Sequence, residues 1–301
     1  MRVLVAGASG FIGTALLGRL AESGHDVVRL VRRRAESADE LAWSPAAGII
    51  DFTIMDRVDA VVNLSGASLA HLPWTSRYRD EILASRITAT RTLADAMRKS
   101  RRPPAVFLNA SAVGYYGDRP GEALGESAPA GTGFLADVVD RWERAAALAP
   151  DQTRTVTFRS GVVVGRGGAM RRIAALTKLG VSGRLGTGGQ NWAWISLDDE
   201  VRAIEHLLES PLSGAVNLAG PTPATADRIM SHLAERMHRP YAVSVPEKLL
   251  EFALGTAADE LLLASQKVRP ERLLHDGFVF EHETCEAAIE QMLSAPRVPV
   301  R

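Results

Sequence analysis

Three glycines spaced three residues apart, Gly7, Gly10 and Gly13, form the part of this chain best suited to bind a ligand. They follow the apolar run Val3–Ala6 and precede Ala15–Leu20, whose spacing is helical. In such a strand–turn–helix unit the glycines permit a tight turn and a close approach of the backbone to phosphate, and the free N–H groups at the helix start face the anion. This pattern predicts a dinucleotide site, whereas the alternative is a structural glycine turn. The predicted contacts are Gly7, Ser9, Gly10, Phe11, Ile12 and Gly13.

The residues after the second predicted strand indicate which dinucleotide is bound. The run Asp26–Val31 leads directly into Arg32, Arg33 and Arg34, and the first acid beyond it is Glu36. A carboxylate at this place would accept hydrogen bonds from a ribose 2′-hydroxyl, whereas a guanidinium pairs with a 2′-phosphate. The sequence therefore predicts NADP(H), with Arg32 as the first contact and Arg33 as the second. The alternative is a solvated basic turn.

Strand-like and helix-like segments alternate along the first half of the chain. Helices are predicted at Tyr78–Lys99 and Phe134–Ala149, and Val58–Leu64 has the continuous apolar pattern of a strand buried on both faces. Such alternation predicts βαβ units and a doubly wound parallel sheet, which is the α/β Rossmann fold. Strands are predicted at Val3–Ala6, Val27–Val31, Leu41–Trp43, Ala60–Leu64, Ala105–Asn109 and Val156–Arg159.

Beyond about residue 165 the pattern changes. Glycines cluster at 165–168 and 183–189, a further strand is predicted at Ala215–Leu218, and residues 224–292 contain mostly short helical segments. We expect an NADP-binding domain over 1–165, to which 190–220 returns, and a mainly helical substrate lobe over 166–301.

The composition excludes several classes of function. The chain has 35 basic and 35 acidic residues, so its charge gives no indication of a nucleic-acid partner. Cys285 is the single cysteine and the histidines are scattered, which predicts no metal site. No apolar run approaches the roughly 20 residues of a membrane span, and a strand at the first residues leaves no room for a signal peptide. We expect a cytoplasmic protein with a small-molecule substrate.

Further motifs are similar to those of a known family. The segments 7–13, 63–67 (Asn-Leu-Ser-Gly-Ala) and 194–199 (Trp-Ile-Ser-Leu-Asp-Asp) resemble those of extended short-chain dehydrogenase/reductases, the nucleotide-sugar epimerase-like group. Pro73–Thr75 and 258–266 narrow the resemblance to an atypical NAD-dependent epimerase/dehydratase-like subgroup. The resemblance implies an oxidoreductase or isomerase with a family-specific helical segment at 245–295. Homodimers are common among such relatives.

The resemblance also implies site residues. Ser111 keeps the place of the family's active-site serine or threonine, and Tyr115 and Tyr116 are the nearest tyrosines that could transfer a proton. A bland role is the alternative in each case: Ser111 caps a turn, the tyrosines pack, and Arg86 lies on a solvated helix face. Beyond the glycine turn, cofactor contacts are implied at Leu64, Ser65, Gly66, Ala67, Arg86, Ser160, Gly161 and Val162.

One part of the family's machinery is missing. These enzymes use a Tyr-x-x-x-Lys pair, in which the lysine holds the ribose and the tyrosine moves a proton. No tyrosine of this chain has a lysine four residues later. Phe134 or Leu135 and Val138 or Val139 stand near the two positions. Glu143, further along the same helix, is either a general acid or a surface residue, and we favour the surface.

A second departure concerns the substrate. Trp192 stands where relatives often present an arginine to a substrate diphosphate, which indicates either an apolar binding surface or core packing. Three functions remain. The first is an NADP(H)-dependent, epimerase-like oxidoreductase acting on a small carbonyl or hydroxyl compound without the usual pair. The second is an NADP(H)-binding sensor or scaffold without turnover. The third, a nucleotide-sugar epimerase of ordinary mechanism, is disfavoured by the missing pair.

Overall fold

The computed structural model describes residues 1–295 as an α/β protein with one large sheet. Its strands are β1 (Arg2–Ala6), β2 (Asp26–Val31), β3 (Glu40–Ala42), β4 (Ala60–Asn63), β5 (Val106–Ala112), β6 (Ala123–Leu124), β7 (Arg154–Ser160), β8 (Val162–Val164), β9 (Gly183–Leu185), β10 (Asn191–Trp192), β11 (Trp194–Ser196), β12 (Gly214–Leu218), β13 (Ala224–Thr225), β14 (Val243–Val245) and β15 (Lys267–Val268). Its helices are α1 (Phe11–Glu22), α2 (Ser76–Lys99), α3 (Phe134–Ala146), α4 (Gly168–Lys178), α5 (Leu197–Glu209), α6 (Ala226–Arg236), α7 (Glu247–Leu254), α8 (Thr256–Ala258), α9 (Glu271–His275) and α10 (Cys285–Ser294).

Seven parallel strands form the large sheet, in the order β12-β7-β5-β4-β1-β2-β3. The chain builds outward from β1 in one direction through β2 and β3, and then in the other direction from β4 to β12. Such a reversal opens a crevice at the carboxyl ends of the strands. The predicted doubly wound fold is therefore confirmed, and the glycine turn leaves β1 at this crevice.

Helices cover both faces of the sheet, because alternate apolar residues of each strand point to opposite sides. Val5, Leu108 and Phe158 pack with residues of α1 and α5 on one face. Leu4 and Phe107 pack with residues of α2 on the other face. Since both faces are filled, the carboxyl edge is the part of the sheet left to bind ligands.

The C-terminal part packs around a second apolar core. Trp192 and Trp194 are 5% and 1% exposed and lie in this core with residues of α4, α6 and α10. Of the two readings of these tryptophans, the structure has core packing. None of the helices within residues 1–295 is long and apolar enough to cross a membrane.

The two long helices of the first half differ from the predicted ones at single ends. Helix α2 begins at Ser76 because the Thr75 hydroxyl caps it and accepts a hydrogen bond from the Tyr78 N–H at 3.1 Å. Helix α3 ends at Ala146, three residues before the predicted end at Ala149. Both helices therefore start at the carboxyl edge of the sheet, where they meet the crevice.

Candidate dinucleotide site and the adjacent cleft

The glycine turn has the shape that its spacing predicts. Gly7 has φ +81°, and a Cβ atom there would lie 2.7 Å from the carbonyl carbon of Leu64. A Cβ atom on Gly13 would lie 2.9 Å from the Cα of Ala8, so helix and strand can pack this closely only around glycine. Helix α1 has Gly10 as its N-cap, with no side-chain cap and no acid in its first turn. Within residues 1–295 no side chain accepts a hydrogen bond from its first N–H groups, as anion binding requires.

Phe11 connects the glycine turn to a second glycine turn. A Cβ atom on Gly165 would lie 2.6 Å from the Cζ of Phe11, and one on Gly167 would overlap the ring. Arg166 lies between these glycines and donates a hydrogen bond from Nε to the carbonyl oxygen of Met292 in α10 at 2.7 Å. The Phe11 ring thus packs on the second glycine turn, and its contact with a cofactor stays a prediction.

The arginines after β2 differ in how free they are. Arg33 donates two hydrogen bonds to the buried Glu40, at 2.7 and 2.8 Å, and these bonds hold the pKa of Glu40 below its usual range. Arg32 is exposed and has no hydrogen-bond or ion-pair partner within residues 1–295. Arg32 is therefore available to a phosphate. Arg33, the second predicted contact, is paired with Glu40, but half of its side chain is exposed and its contact with a phosphate stays a prediction.

The loop after β4 is held open by hydrogen bonds from its backbone. The Ser65 N–H donates to Asn63 Oδ1 at 3.1 Å, and the Ala67 N–H donates to Ser85 Oγ at 2.9 Å. Leu64 meets the glycine turn through its backbone, as described above. The predicted segment 64–67 therefore lies beside the glycine turn at the same edge of the sheet.

Arg86 of α2 lies against this loop. Its side chain packs on Gly66, and Nη1 donates to the carbonyl oxygens of Ala67 and Ile82 at 3.2 and 3.0 Å. The guanidinium stands 5.1 Å from the ring centroid of Trp142 in α3. Arg86 is 9% exposed, and burial lowers its pKa to about 10. The reading of Arg86 as part of a solvated helix face is therefore wrong.

The segment from the end of β7 into β8 makes its polar contacts within the protein. Ser160 Oγ donates to Glu200 Oε1 at 2.5 Å, and burial raises the pKa of Glu200 to about 8, which favours the protonated form of this acid at neutral pH. A Cβ atom on Gly161 would lie 2.6 Å from the carbonyl oxygen of Ala193. Val162 pairs with Trp194 in the short parallel ladder of β8 and β11. The N–H groups of Gly161 and Val162 donate to the carbonyl oxygens of Leu218 and Ala193 at 2.9 and 2.7 Å, so these donors, like the Ser160 hydroxyl, are already used within the protein.

Ser111 lies within β5 and not in a turn, because the strand runs to Ala112 and places Ser111 opposite Arg159 in β7. Its hydroxyl donates to Glu143 Oε1 at 2.6 Å. Glu143 in turn accepts two hydrogen bonds from Arg159, at 2.7 and 2.8 Å. Burial lowers the pKa of Arg159, but the hydrogen bonds and charge of Glu143 outweigh it and raise that pKa above its ordinary value. The prediction that Glu143 lies at the surface is wrong.

The two tyrosines after β5 have different surroundings. Tyr116 is fully buried, its hydroxyl donates to Asn217 Oδ1 at 2.7 Å and accepts from Arg159 Nη1 at 3.0 Å, and burial raises its pKa. Tyr115 is partly exposed, and its hydroxyl has no hydrogen-bond partner within residues 1–295. The guanidinium carbon of Arg159 lies 3.5 Å from the centroid of the Tyr115 ring. Tyr116 is thus placed for packing, and Tyr115 is the tyrosine whose hydroxyl is free.

The start of α3, where the Tyr-x-x-x-Lys pair would lie, is apolar and is capped by a side chain from the C-terminal half of the chain. Leu135 and Val139 lie against Gly114 in the turn after β5. The N–H groups of Phe134 and Leu135 donate to the carboxylate of Glu260, in the C-terminal half of the chain. Sequence reasoning missed this cap, and no local pattern could have found it, because the two segments are more than 120 residues apart.

One group of side chains has metal-ligand character. Asp198, Glu281 and His282 have ligand atoms within 4.8 Å of one another. Each already has a protein neighbour: Arg202 pairs with Glu281 at 3.2 Å, and His282 Nδ1 lies 3.1 Å from Ser196 Oγ. Asp198 lies 3.4 Å from Gln291. We assign no metal to this group.

A glycine turn at the switch point of a doubly wound parallel sheet defines the class of Rossmann-fold dinucleotide-binding proteins. The profile of the NAD-dependent epimerase/dehydratase family matches residues 3–219, and the chain belongs to that family. Residues 245–292 match a second profile, a domain of unknown function named DUF1731.

Relatives match over nearly the whole chain. The epimerase family protein Mb2239 of Mycobacterium bovis is 40% identical over 297 residues, which cover 98% of each chain. The human epimerase family protein SDR39U1 is 33% identical, over 98% of this chain and all of that protein. A crystal structure of human SDR39U1 (isoform 2) with NADPH matches with a TM-score of 0.89 at 32% identity, over 98% of this chain and 100% of that chain. The resemblance inferred from the motifs is thereby confirmed.

Proposed function

We propose that this protein is an NADP(H)-dependent, epimerase-family oxidoreductase that acts on a small carbonyl or hydroxyl compound. In this proposal residues 1–165 hold the cofactor, and the substrate lies in the cleft between them and the lobe over 166–301. The observation that carries the proposal is the uncapped start of α1 at the glycine turn, with Arg32 free on the β2 side of the crevice. The NADPH in the human SDR39U1 structure supports the same cofactor.

The residues at the site fit the cofactor group by group. The backbone of the turn from Gly7 to Gly13 offers N–H donors to the pyrophosphate. Arg32 offers a guanidinium to a 2′-phosphate, with which it can form two parallel hydrogen bonds. Bound NADP(H) would supply hydride transfer at its nicotinamide.

Tyr115 supports a proton-transfer role beside that nicotinamide. Its hydroxyl has no hydrogen-bond partner within residues 1–295. The Ser111 hydroxyl, in contrast, donates a hydrogen bond to Glu143, and the Tyr116 side chain is fully buried. Arg159 stacks on the Tyr115 ring and holds its position. In carbonyl reduction, we expect the Tyr115 hydroxyl to donate its proton to the carbonyl oxygen while hydride reaches the carbon. A proton from water then restores the hydroxyl.

A second function is favoured by a different observation. The positions of the usual pair on α3 are filled by apolar side chains that pack on Gly114, and the polar groups nearby are bonded to one another. Such a cluster is complete without a substrate, which supports an NADP(H)-binding sensor without turnover. The two functions share the cofactor and differ in whether it reacts.

Thermal shift with NADPH and NADH tests the cofactor. We expect NADPH to stabilise the wild-type protein more than NADH, and Arg32→Glu to abolish this difference because a carboxylate repels the 2′-phosphate. Arg98→Glu is the matched control, since Arg98 is exposed in the last turn of α2, away from the crevice. Equal stabilisation of the wild type by the two cofactors would show that the NADP(H) assignment is wrong.

NADPH oxidation with a reactive dicarbonyl, 9,10-phenanthrenequinone, and with a panel of aldehydes and ketones tests turnover. Tyr115→Phe keeps the ring on Arg159 and removes only the hydroxyl, and we expect a loss of about 100-fold or more in kcat. NADPH binding should be unchanged in this variant. Tight binding of NADPH with no oxidation by any of these carbonyls would favour the sensor.

A further inference from the structure

Arg86 is a buried cation without a counter-ion. No carboxylate pairs with it within residues 1–295, and the two carbonyl oxygens that it contacts both bind Nη1. Its Nε and Nη2 have no protein acceptor in the same part of the chain, yet neither atom is fully enclosed. A buried charge is costly unless it is paired or hydrogen-bonded. The free donors of this guanidinium therefore indicate that a ligand completes the site.

The position of Arg86 indicates which part of a ligand it meets. The side chain packs on Gly66 in the loop after β4, and β4 lies on the opposite side of β1 from β2. Arg32 follows β2 and lies on the other side of the crevice. A dinucleotide that crosses the switch point with its 2′-phosphate at Arg32 has its nicotinamide half on the β4 and β5 side. Arg86 is therefore on the nicotinamide side.

The neighbours of Arg86 on α3 give a third observation. Trp142, on which the guanidinium stacks, lies three residues after Val139, one of the two residues nearest to the family's lysine position. The lysine position of α3 has no cation, whereas α2 places the Arg86 guanidinium against the neighbouring Trp142 of α3. The stacking on Trp142 fixes the plane of the guanidinium, and glycine at position 66 leaves room for it.

We propose that Arg86 binds the nicotinamide-side ribose of the dinucleotide, in place of the lysine that is absent from α3. Its remaining N–H groups donate to the ribose hydroxyl oxygens. This inference rests on the proposed NADP(H) function and assigns to α2 a task that relatives perform from α3. It makes Arg86 a cofactor-binding residue and requires no lysine in the site.

Binding of NADPH and of 2′,5′-ADP, measured by isothermal titration, tests the proposal. The fragment 2′,5′-ADP carries the 2′-phosphate but no nicotinamide ribose. We expect Arg86→Met to weaken NADPH by about 10- to 100-fold, as loss of charge-assisted hydrogen bonds does, and to leave 2′,5′-ADP within twofold. Arg32→Glu should weaken both ligands.

Two further measurements separate a binding role from a structural one. Without ligand, Arg86→Met should melt no lower than the wild type, because it removes an unpaired buried charge. Arg86→Lys keeps a cation but not the planar fork, so it should bind NADPH with intermediate affinity. It also provides the comparison if the neutral variant does not fold.

Distinct results would overturn the inference. Equal weakening of NADPH and 2′,5′-ADP by the Arg86 variants would place Arg86 on the adenosine side or in a structural role. Unchanged NADPH affinity in both variants would exclude a cofactor contact. If the wild-type protein binds neither ligand, the proposed function itself is wrong, which this experiment distinguishes from a failure of Arg86 alone.

Discussion

The glycine turn after β1 and the polar cluster after β5 lie at the same edge of the sheet, but they leave their polar groups in opposite states. At the turn, the N–H groups at the start of α1 have no side-chain acceptor within residues 1–295. In the polar cluster, hydrogen bonds of 2.6 to 3.0 Å join five side chains, those of Ser111, Glu143, Arg159, Tyr116 and Asn217. One region is ready for a ligand, and the other is largely satisfied by the protein.

This difference shows that binding and chemistry make separate demands on a fold. Binding a pyrophosphate depends on backbone shape, which glycines at fixed spacing secure. Transferring a proton depends on a side chain whose polar atom is not already used. At this edge of the sheet the glycine turn has the backbone shape that binding needs. For proton transfer, Tyr115 is the tyrosine there whose hydroxyl is unpaired within residues 1–295.

Filling the glycine turn should have the largest effect, because it should remove NADPH binding as well as stability. Gly13→Ala places a Cβ atom against the backbone of Gly7 and Ala8, so we expect loss of NADPH binding and destabilisation of about 3 kcal/mol or more. Gly18→Ala on the same helix meets open space and should stabilise by up to about 1 kcal/mol. Urea unfolding and NADPH titration measure both. Equal behaviour of the two variants would contradict the packing argument.

Breaking the Glu143–Arg159 pair should have the next largest effect. Glu143→Leu leaves the guanidinium of Arg159, whose side chain is 4% exposed, without its partner and should cost about 3–5 kcal/mol of unfolding free energy. Arg159→Met should cost less, since the Glu143 side chain is more exposed. The double variant should lose clearly less than the sum. Additive losses in urea unfolding would show that the pair is not coupled.

Glu200 should make stability depend on pH. Its pKa is about 8 in the folded protein, against about 4.3 for an unperturbed glutamate. Between these values the folded state binds a proton that the unfolded state lacks, so this contribution is complete below pH 4 and is lost as pH rises through 8. Glu200→Gln cannot titrate, and between pH 6 and 9 it should lose roughly 2–3 kcal/mol less stability than the wild type. Parallel pH profiles of unfolding free energy would refute this.

The smallest effect should separate the two tyrosines. Tyr116→Phe removes a hydroxyl bonded to Asn217 and Arg159, and should cost about 1–2 kcal/mol. Tyr115→Phe removes a hydroxyl without a protein partner in the described structure and should stay within about 0.5 kcal/mol of the wild type. Thermal or urea unfolding distinguishes them. A reversed order would mean that the free hydroxyl is the one at position 116.

Local spacing was enough to predict the fold and the turn. Gly7, Gly10 and Gly13 lie within one strand–turn–helix unit, so their roles depend on neighbours in sequence. Arg32 and Arg33 show where this stops. They are adjacent and chemically identical, and Arg33 is held by Glu40 only because β3 pairs with β2.

The polar cluster could not be predicted because its contacts are long-range. Tyr116 and Asn217 are 101 residues apart, and Ser111 and Glu143 are 32 apart. Helical periodicity alone did not reveal that Glu143 faces β7. Such distant contacts decide which polar atoms remain without a partner. The proton-transfer group must be one of those atoms, so it can be identified only from the folded structure.

The packing of the Phe11 ring on the second glycine turn limits how segments can be exchanged between relatives to make chimaeras. The Phe11 ring occupies the space that a side chain at position 165 or 167 would need. A graft that brings a smaller residue to position 11 leaves a hole, and a side chain added at 165 or 167 displaces the ring. A working chimaera must therefore take both turns from the same parent, although they are more than 150 residues apart.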